Sequence, residues 1–276
     1  MNKNTLLGYM DNGLRQEVIL GGKEPDIVKR YCSLVQTLIA PIFNGSVINK
    51  RKISILSGYI HRKPFVKFLK PPSLFGKSST ELGDILFVKK MITGHILVDI
   101  EITFSQVKKY NNGWGFEPHQ FEFTLNHDTI EIMFGKKYQS NTLVPQKFNI
   151  PKPTKKLFNY LLLSNPMNLA CSIDRLKANY SSGNRFSMDC CILGGNSNLI
   201  GFCPKYDYKV FLNEFLFSKK GYGEPVVGNS ILKYMLDIAY KAHDWKLDPP
   251  EEYDEFYNEE NGGFGIIEFT LRNDEA

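Results

Sequence analysis

The sequence predicts an α/β protein in which strands gather around one long hairpin and helices pack against them. Three patterns point there. The stretch 81–109, ELGDILFVKKMITGHILVDIEITFSQVKK, reads as two strands folded back at a turn. Apolar residues recur at helical spacing in 25–41 and again in 229–243, and runs rich in Val, Ile and Phe in 46–69 and 265–271 read as further strands.

In the hairpin, the apolar run at 85–88 starts the first arm and Thr93-Gly94-His95 supplies the turn. Along the second arm, alternation puts Ile96, Val98, Ile100, Ile102, Phe104, Gln106 and Lys108 on one face. Leu97, Asp99, Glu101, Thr103, Ser105 and Val107 take the other. Pairing around Thr93-Gly94 brings Asp84 beside the segment 104–108, so a carboxylate, an amide and an amine share one end of the sheet. Such an end suits a divalent cation and a phosphate. A strand that simply turns polar as it meets water is the plainer reading.

The other elements follow in chain order. Residues 1–24 read as a lead-in with a short strand at 17–20 before Gly21-Gly22. Pro25 suits a first helical turn, with Glu24 and Asp26 as partners of the helix dipole and Ile27, Tyr31, Leu34, Val35, Leu38 and Ile39 as the apolar stripe up to Pro41. Strands are expected at 47–48, 53–56, 65–69 and 130–134. Residues 145–153 read as a proline-broken linker, 157–163 as helical, and 169–180 as one face of another helix. Ile231, Leu232, Met235, Ile238 and Ala239 stripe a helix at 229–243, and 265–271 forms a final strand.

The chain has 276 residues, 42% hydrophobic and 23% charged, enough for one large domain. It reads as a single domain over 1–276, with a core at about 25–135 and a helical and C-terminal strand elaboration at about 155–276. No run is long and apolar enough to cross a bilayer, and the N-terminus lacks a signal-peptide core, so a cytoplasmic, membrane-free protein is expected. The five cysteines, with Cys190 beside Cys191 and no CxxC, suggest free thiols in a reducing compartment.

The net charge of +5 is uneven. Residues 244–260, DWKLDPPEEYDEFYNEE, carry eight acids and one lysine, leaving the rest of the chain at +12. That excess favours a polyanionic partner. Arg62, Lys63, Lys67, Lys70 and Lys77 form a segment without acids that runs into the hairpin, and they are the candidate nucleic-acid contacts; a solvated loop is the competing explanation. Phe75-Gly76-Lys77-Ser78 is not a P-loop, because Pro71 occupies the first glycine position and a strand follows. His119 and His127, with Asp128 next, lack the context of a metal site and read as surface or packing residues.

On Glu81-Leu82-Gly83-Asp84, then Gln106-Val107-Lys108, then Pro118-His119-Gln120-Phe121, the chain resembles the PD-(D/E)XK restriction-endonuclease-like superfamily. It is most similar to bacterial members with an E-L-x-D strand start and a Q-x-K strand end. The resemblance covers about 60–135. It implies a mixed central β-sheet flanked by helices, a restriction-endonuclease-like core, and hydrolysis of phosphodiester bonds with Mg²⁺ or Mn²⁺. Asp84 matches the metal-binding aspartate and Lys108 the catalytic lysine.

Gln106 departs from the usual acid, and its amide oxygen brings no charge to a metal. Glu81 is a carboxylate that would compensate, and Val107 would offer its backbone carbonyl. The resemblance thus implies a DNA endonuclease, with a place in bacterial antiviral defence and a gating protein partner or a homo-oligomer. The alternative it leaves open is a catalytically weakened nucleic-acid-binding or assembly subunit.

Overall fold

The computed structural model describes residues 1–60, 64–68, 79–81, 83–110, 130–134, 147–148, 157–165, 168–172, 206–218, 222–242 and 264–273. The chain begins with helix α1 (Lys3–Leu20) and α2 (Glu24–Leu34), which continues through a π-helical turn (Val35–Ile39) into the short α3 (Ala40–Phe43). Strands β1 (Val47–Ile48), β2 (Arg51–Ile60), β3 (Pro64–Phe68) and β4 (Ser79–Glu81) follow. The hairpin is β5 (Ile85–Thr93) and β6 (Ile96–Lys109). Beyond it come β7 (Ile130–Phe134), β8 (Lys147–Phe148), β9 (Phe158–Leu163), β10 (Leu169–Ser172) and β11 (Tyr206–Asp207). Helix α4 (Tyr208–Phe217), β12 (Glu224–Pro225), α5 (Ser230–Ala242) and β13 (Phe264–Asn273) complete the described chain.

Among the described residues, nine strands form a mixed sheet in the order β1-β2-β13-β5-β6-β9-β10-β11, with β12 also paired to β6. The strands β4-β3-β7-β8 form a second sheet. The last strand sits at the centre of the first sheet: β13 runs parallel to β5 and antiparallel to β2. The hairpin pairs Ile85 with Ser105 and Thr93 with Ile96, and Gly94 takes the positive φ of 59° that a two-residue turn demands. One irregularity breaks the expected alternation. Met91 pairs with Asp99 but Ile92 with Leu97, so Val98 is the extra residue of a bulge and Leu97 joins the face that alternation assigned to its neighbours.

Odd-numbered residues of β2, β5, β9 and β13, and of β6 beyond its bulge, form one face of the sheet. Ile85, Phe87, Val107, Leu161, Ile267 and Phe269 pack there against Leu6, Met10 and Leu14 of α1, Ile27, Val28 and Tyr31 of α2, and Phe211 and Phe215 of α4. Within this layer the Tyr31 and Tyr208 hydroxyls share a hydrogen bond of 2.8 Å, and burial pushes both phenols up. Cys32 and Cys171 are buried thiols, and burial pushes Cys32 up to about 12. The even-numbered face, with Leu86, Val88, Phe104, Tyr160 and Ile266, is buried as well, and α5 is tied to it through Tyr240 and Glu268.

Two polar devices fix the sheet. Between β6 and β9, Ser105 Oγ donates to Asn159 Oδ1 at 2.7 Å, Asn159 Nδ2 donates to Thr103 Oγ1 at 2.9 Å, and Thr103 Oγ1 donates to the Leu157 carbonyl at 3.2 Å. All three side chains are buried, so the network holds the register of the parallel pair that carries Gln106 and Lys108. At the outer edge of β2, the Asn44 side chain accepts from Ile55 N at 2.6 Å and donates to Ile55 O at 3.3 Å, while Gln36 Oε1 accepts from Ser57 N at 2.8 Å. Two amides thus occupy edge groups that would otherwise attract another strand.

Three expectations are corrected. Residues 17–20 end α1 and are not a strand, because Leu6, Leu7, Met10, Leu14 and Val18 keep a helical period through them. Residues 158–163 and 169–172 are strands, not helices. The first is buried at every position, so a continuous apolar run stands where alternation would have identified it. Helix α4 has no counterpart among the sequence expectations; Asp207 caps it by accepting from Val210 N at 2.7 Å. No helix among the described residues is long and apolar enough to cross a membrane.

Candidate functional site

The β5–β6 hairpin brings Asp84 to the polar end of β6. Its backbone is held on both sides: Asp84 N donates to Ser105 O at 2.9 Å, and Gly265 N donates to Asp84 O at 2.8 Å. Gly83 makes this approach feasible, since a Cβ there would lie 3.3 Å from Phe104 Cβ and 3.4 Å from Ser105 O. The Asp84 carboxylate then accepts two hydrogen bonds through Oδ2, one from Gln106 Nε2 and one from Val107 N at 2.7 Å. Both Asp84 and Gln106 are buried, at 2% and 7% exposure, so these donors replace water around the carboxylate.

Lys108 follows two residues after Gln106 on the same face of β6 and is 6% exposed. Tyr160 and Leu162 of β9 stand beside Gln106 and Lys108 in register. Asp99 and Glu101 belong elsewhere, as the alternation required: Glu101 pairs with the buried Lys89 at 2.5 Å on the helix-covered face. Glu81 closes β4, opposite Phe65, in the second sheet. It precedes Asp84 by three residues but belongs to a different strand ladder.

A second carboxylate reaches this end of β6 from α2. Glu24 Oε1 accepts from Lys109 N at 2.8 Å, and Lys109 Nζ donates to Gly22 O at 2.9 Å. In an antiparallel strand the N–H and C=O of one residue point to the same edge, and here Ser105 O, Val107 N and Lys109 N all point toward the Asp84 side. The amides that serve Asp84 and Glu24 are therefore two residues, or about 7 Å, apart along one edge. For the acids of this helix the sequence favours the dipole role over a contribution to a metal site. That role is supplied by Asp26, whose carboxylate accepts from Lys23 N at 3.0 Å, which leaves Glu24 to tether α2 to β6. No sequence signal marks a contact across 85 residues.

The donors at this end are oxygens: the Asp84 and Glu24 carboxylates, the Val107 carbonyl on the same edge, and the Gln106 amide oxygen. Hard cations such as Mg²⁺ and Mn²⁺ take such a set, whereas zinc favours nitrogen and sulfur. Among the described residues no three His, Cys, Asp or Glu side chains gather as a metal site. Any cation here would therefore depend on amide and backbone oxygens as well as on carboxylates. Of the basic segment, Lys67 lies on β3, while Arg62, Lys63, Lys70 and Lys77 lie outside the described residues, as do His119 and His127. No family model matches the chain, nor does any curated protein or solved structure.

Proposed function

We propose that the protein is a metal-dependent nuclease that hydrolyses phosphodiester bonds of DNA at the end of the β5–β6 hairpin, with the restriction-endonuclease-like core its sequence resembles. The observation that carries this reading is the meeting of Asp84 with Gln106 and Val107, two residues before a buried lysine on the same face. A bound divalent cation supplies an activated water and neutralises phosphate charge. Asp84 would provide its carboxylate ligand. The Gln106 amide, turned about its last bond, would offer Oε1 in place of Nε2, and the Val107 carbonyl and the Glu24 or Glu81 carboxylate would complete the oxygen set. Lys108, two residues beyond Gln106 on the same face of β6, would orient the attacking water and offset charge that develops on the phosphoryl oxygens. The basic segment containing Lys67 would draw the DNA backbone toward this end of the sheet.

A second reading, a weakened nuclease that binds nucleic acid or assembles with a defence complex, is favoured by one detail. Gln106 donates an N–H to Asp84, so the carboxylate is satisfied without a metal. The deciding experiment incubates plasmid and linear DNA with the protein in Mg²⁺, Mn²⁺ or EDTA. Cleavage that needs the metal and falls at least about a hundredfold in both Asp84→Ala and Lys108→Ala is expected. Cleavage unaffected by either substitution defeats the nuclease assignment, and DNA binding without any cleavage selects the second reading.

A further inference from the structure

A groove of about 1100 Å³ lies between α5 and the far end of the sheet, on the face that also carries Asp84 and Gln106. Lys90, on its floor, is six residues along β5 from Asp84, about 20 Å away. The floor is electrically closed. Lys90 Nζ is 2.8 Å from Glu268 Oε2 and 4.7 Å from the centre of the Tyr240 ring, Tyr240 donates to the same carboxylate, and Thr270 Oγ1 donates to Glu268 Oε1 at 3.3 Å. Above the floor the walls are apolar, with Ile92, Leu97 and Ile100 from the hairpin and Val226 and Leu236 facing them.

The rim has the opposite character. Arg272 of β13 lines the groove and is exposed; its cross-strand neighbour Lys52 of β2 is exposed too but lies outside the lining. Lys233, also exposed, faces the groove from α5. Among the described residues neither Arg272 nor Lys233 has an ion pair. Asp237 is the exposed acid of the rim, outnumbered by them.

We propose that this groove binds a nucleotide unit, its phosphate held by Arg272 and Lys233 and its planar base against the apolar walls. Anion-seeking groups set beside apolar surface match a ligand that joins a phosphate to a flat, weakly polar ring. The same chemistry comes from a free nucleotide or from one residue of a single strand. Binding here does not depend on hydrolysis at Asp84.

The test is fluorescence anisotropy of a fluorescein-labelled single-stranded oligothymidylate with the full chain in EDTA, where hydrolysis plays no part. Binding is expected to weaken as salt rises, and to weaken about tenfold or more in each of Arg272→Glu and Lys233→Glu. Lys29→Glu, on the exposed side of α2, is expected to leave it unchanged. Thermal melts confirm that each variant is folded. Displacement of the probe by AMP identifies a free nucleotide as a sufficient ligand, and displacement only by unlabelled strand identifies the strand. Absence of binding by both, binding that survives the Arg272→Glu and Lys233→Glu pair, or equal loss in Lys29→Glu overturns the proposal. Because cleavage is read separately with metal present, a failed nuclease assay leaves this result standing, and the reverse also holds.

Discussion

Gln106 meets Asp84 with an N–H donor, and exchanging that donor for an acceptor reverses the energetics of the pair. In Gln106→Glu two carboxylates would share a buried strand end, where like charges oppose ionisation of both. Losing the amide donor costs about 1–3 kcal/mol, and for a chain of this size each kcal/mol lowers the melting temperature by about 2–4 °C. The variant is therefore expected to melt several degrees below the parent in EDTA and to regain more than the parent does when millimolar Mg²⁺ or Mn²⁺ is added. Melting curves with and without metal check both halves. An unchanged melt in EDTA would contradict the Asp84–Gln106 contact, and a deficit that metal does not relieve would argue against a cation at the hairpin end. The neighbourhood of the contact was legible in the sequence, since a turn at Thr93-Gly94 folds Asp84 back to 104–108, but the partner was not. Strict pairing would set Asp84 opposite Ser105, and the bulge at Val98 shifts the ladder so that Ile85 takes that place and Asp84 meets Gln106. The Glu24 contact with Lys109 was not legible, because it depends on how α2 docks, and docking is decided by the packing of Ile27, Val28 and Tyr31 against the sheet.

At the level of elements, β2 is stabilised along its outer edge by the loop and helix before it. Asn44 mimics a strand residue, giving and receiving one hydrogen bond with Ile55, and the π-helical turn contains Gln36, which satisfies Ser57 N. Asn44→Ala strands both Ile55 groups at a part-buried position, and a loss of about 1–3 kcal/mol is expected in denaturant unfolding. Asn44→Asp, which keeps the acceptor but not the donor, should lose less. A cost for Asn44→Ala no greater than that of an exposed substitution would show that water replaces the amide without penalty. Helix α5, with one covered face, was readable from its period, and the hairpin from its turn signal and the apolar run that opens it. Strand β9 was not, because burial on both faces erases the alternation, and a run of Leu and Tyr then satisfies a helical pattern equally well. The end of α1 was misread for a different reason: four residues are too short a window to separate the two periods.

On the scale of the whole molecule, β13 pairs at nine positions with β2 on one side and at nine with β5 on the other. Adjacent segments do not predict this, since β2 and β5 are close in sequence and yet stand apart in the sheet, with β13, about 200 residues later, between them. The hairpin that presents Asp84 is thus anchored to the rest of the sheet by the last described strand, which also donates Gly265 N to the Asp84 carbonyl. Joining contacts so distant in sequence makes folding slow, and until β13 docks, one edge of β5 and one of β2 are open. A chain ending before Phe264 should therefore show no cooperative melt and no near-ultraviolet circular dichroism typical of packed aromatic rings, and it should aggregate at concentrations where the full chain does not. A synthetic peptide spanning 264–273, added during refolding, should restore the melt by filling the gap between β2 and β5. A truncated chain that unfolds cooperatively near the parent temperature would mean that β2 and β5 close on each other without β13, and the central position of that strand would then not be what holds the site.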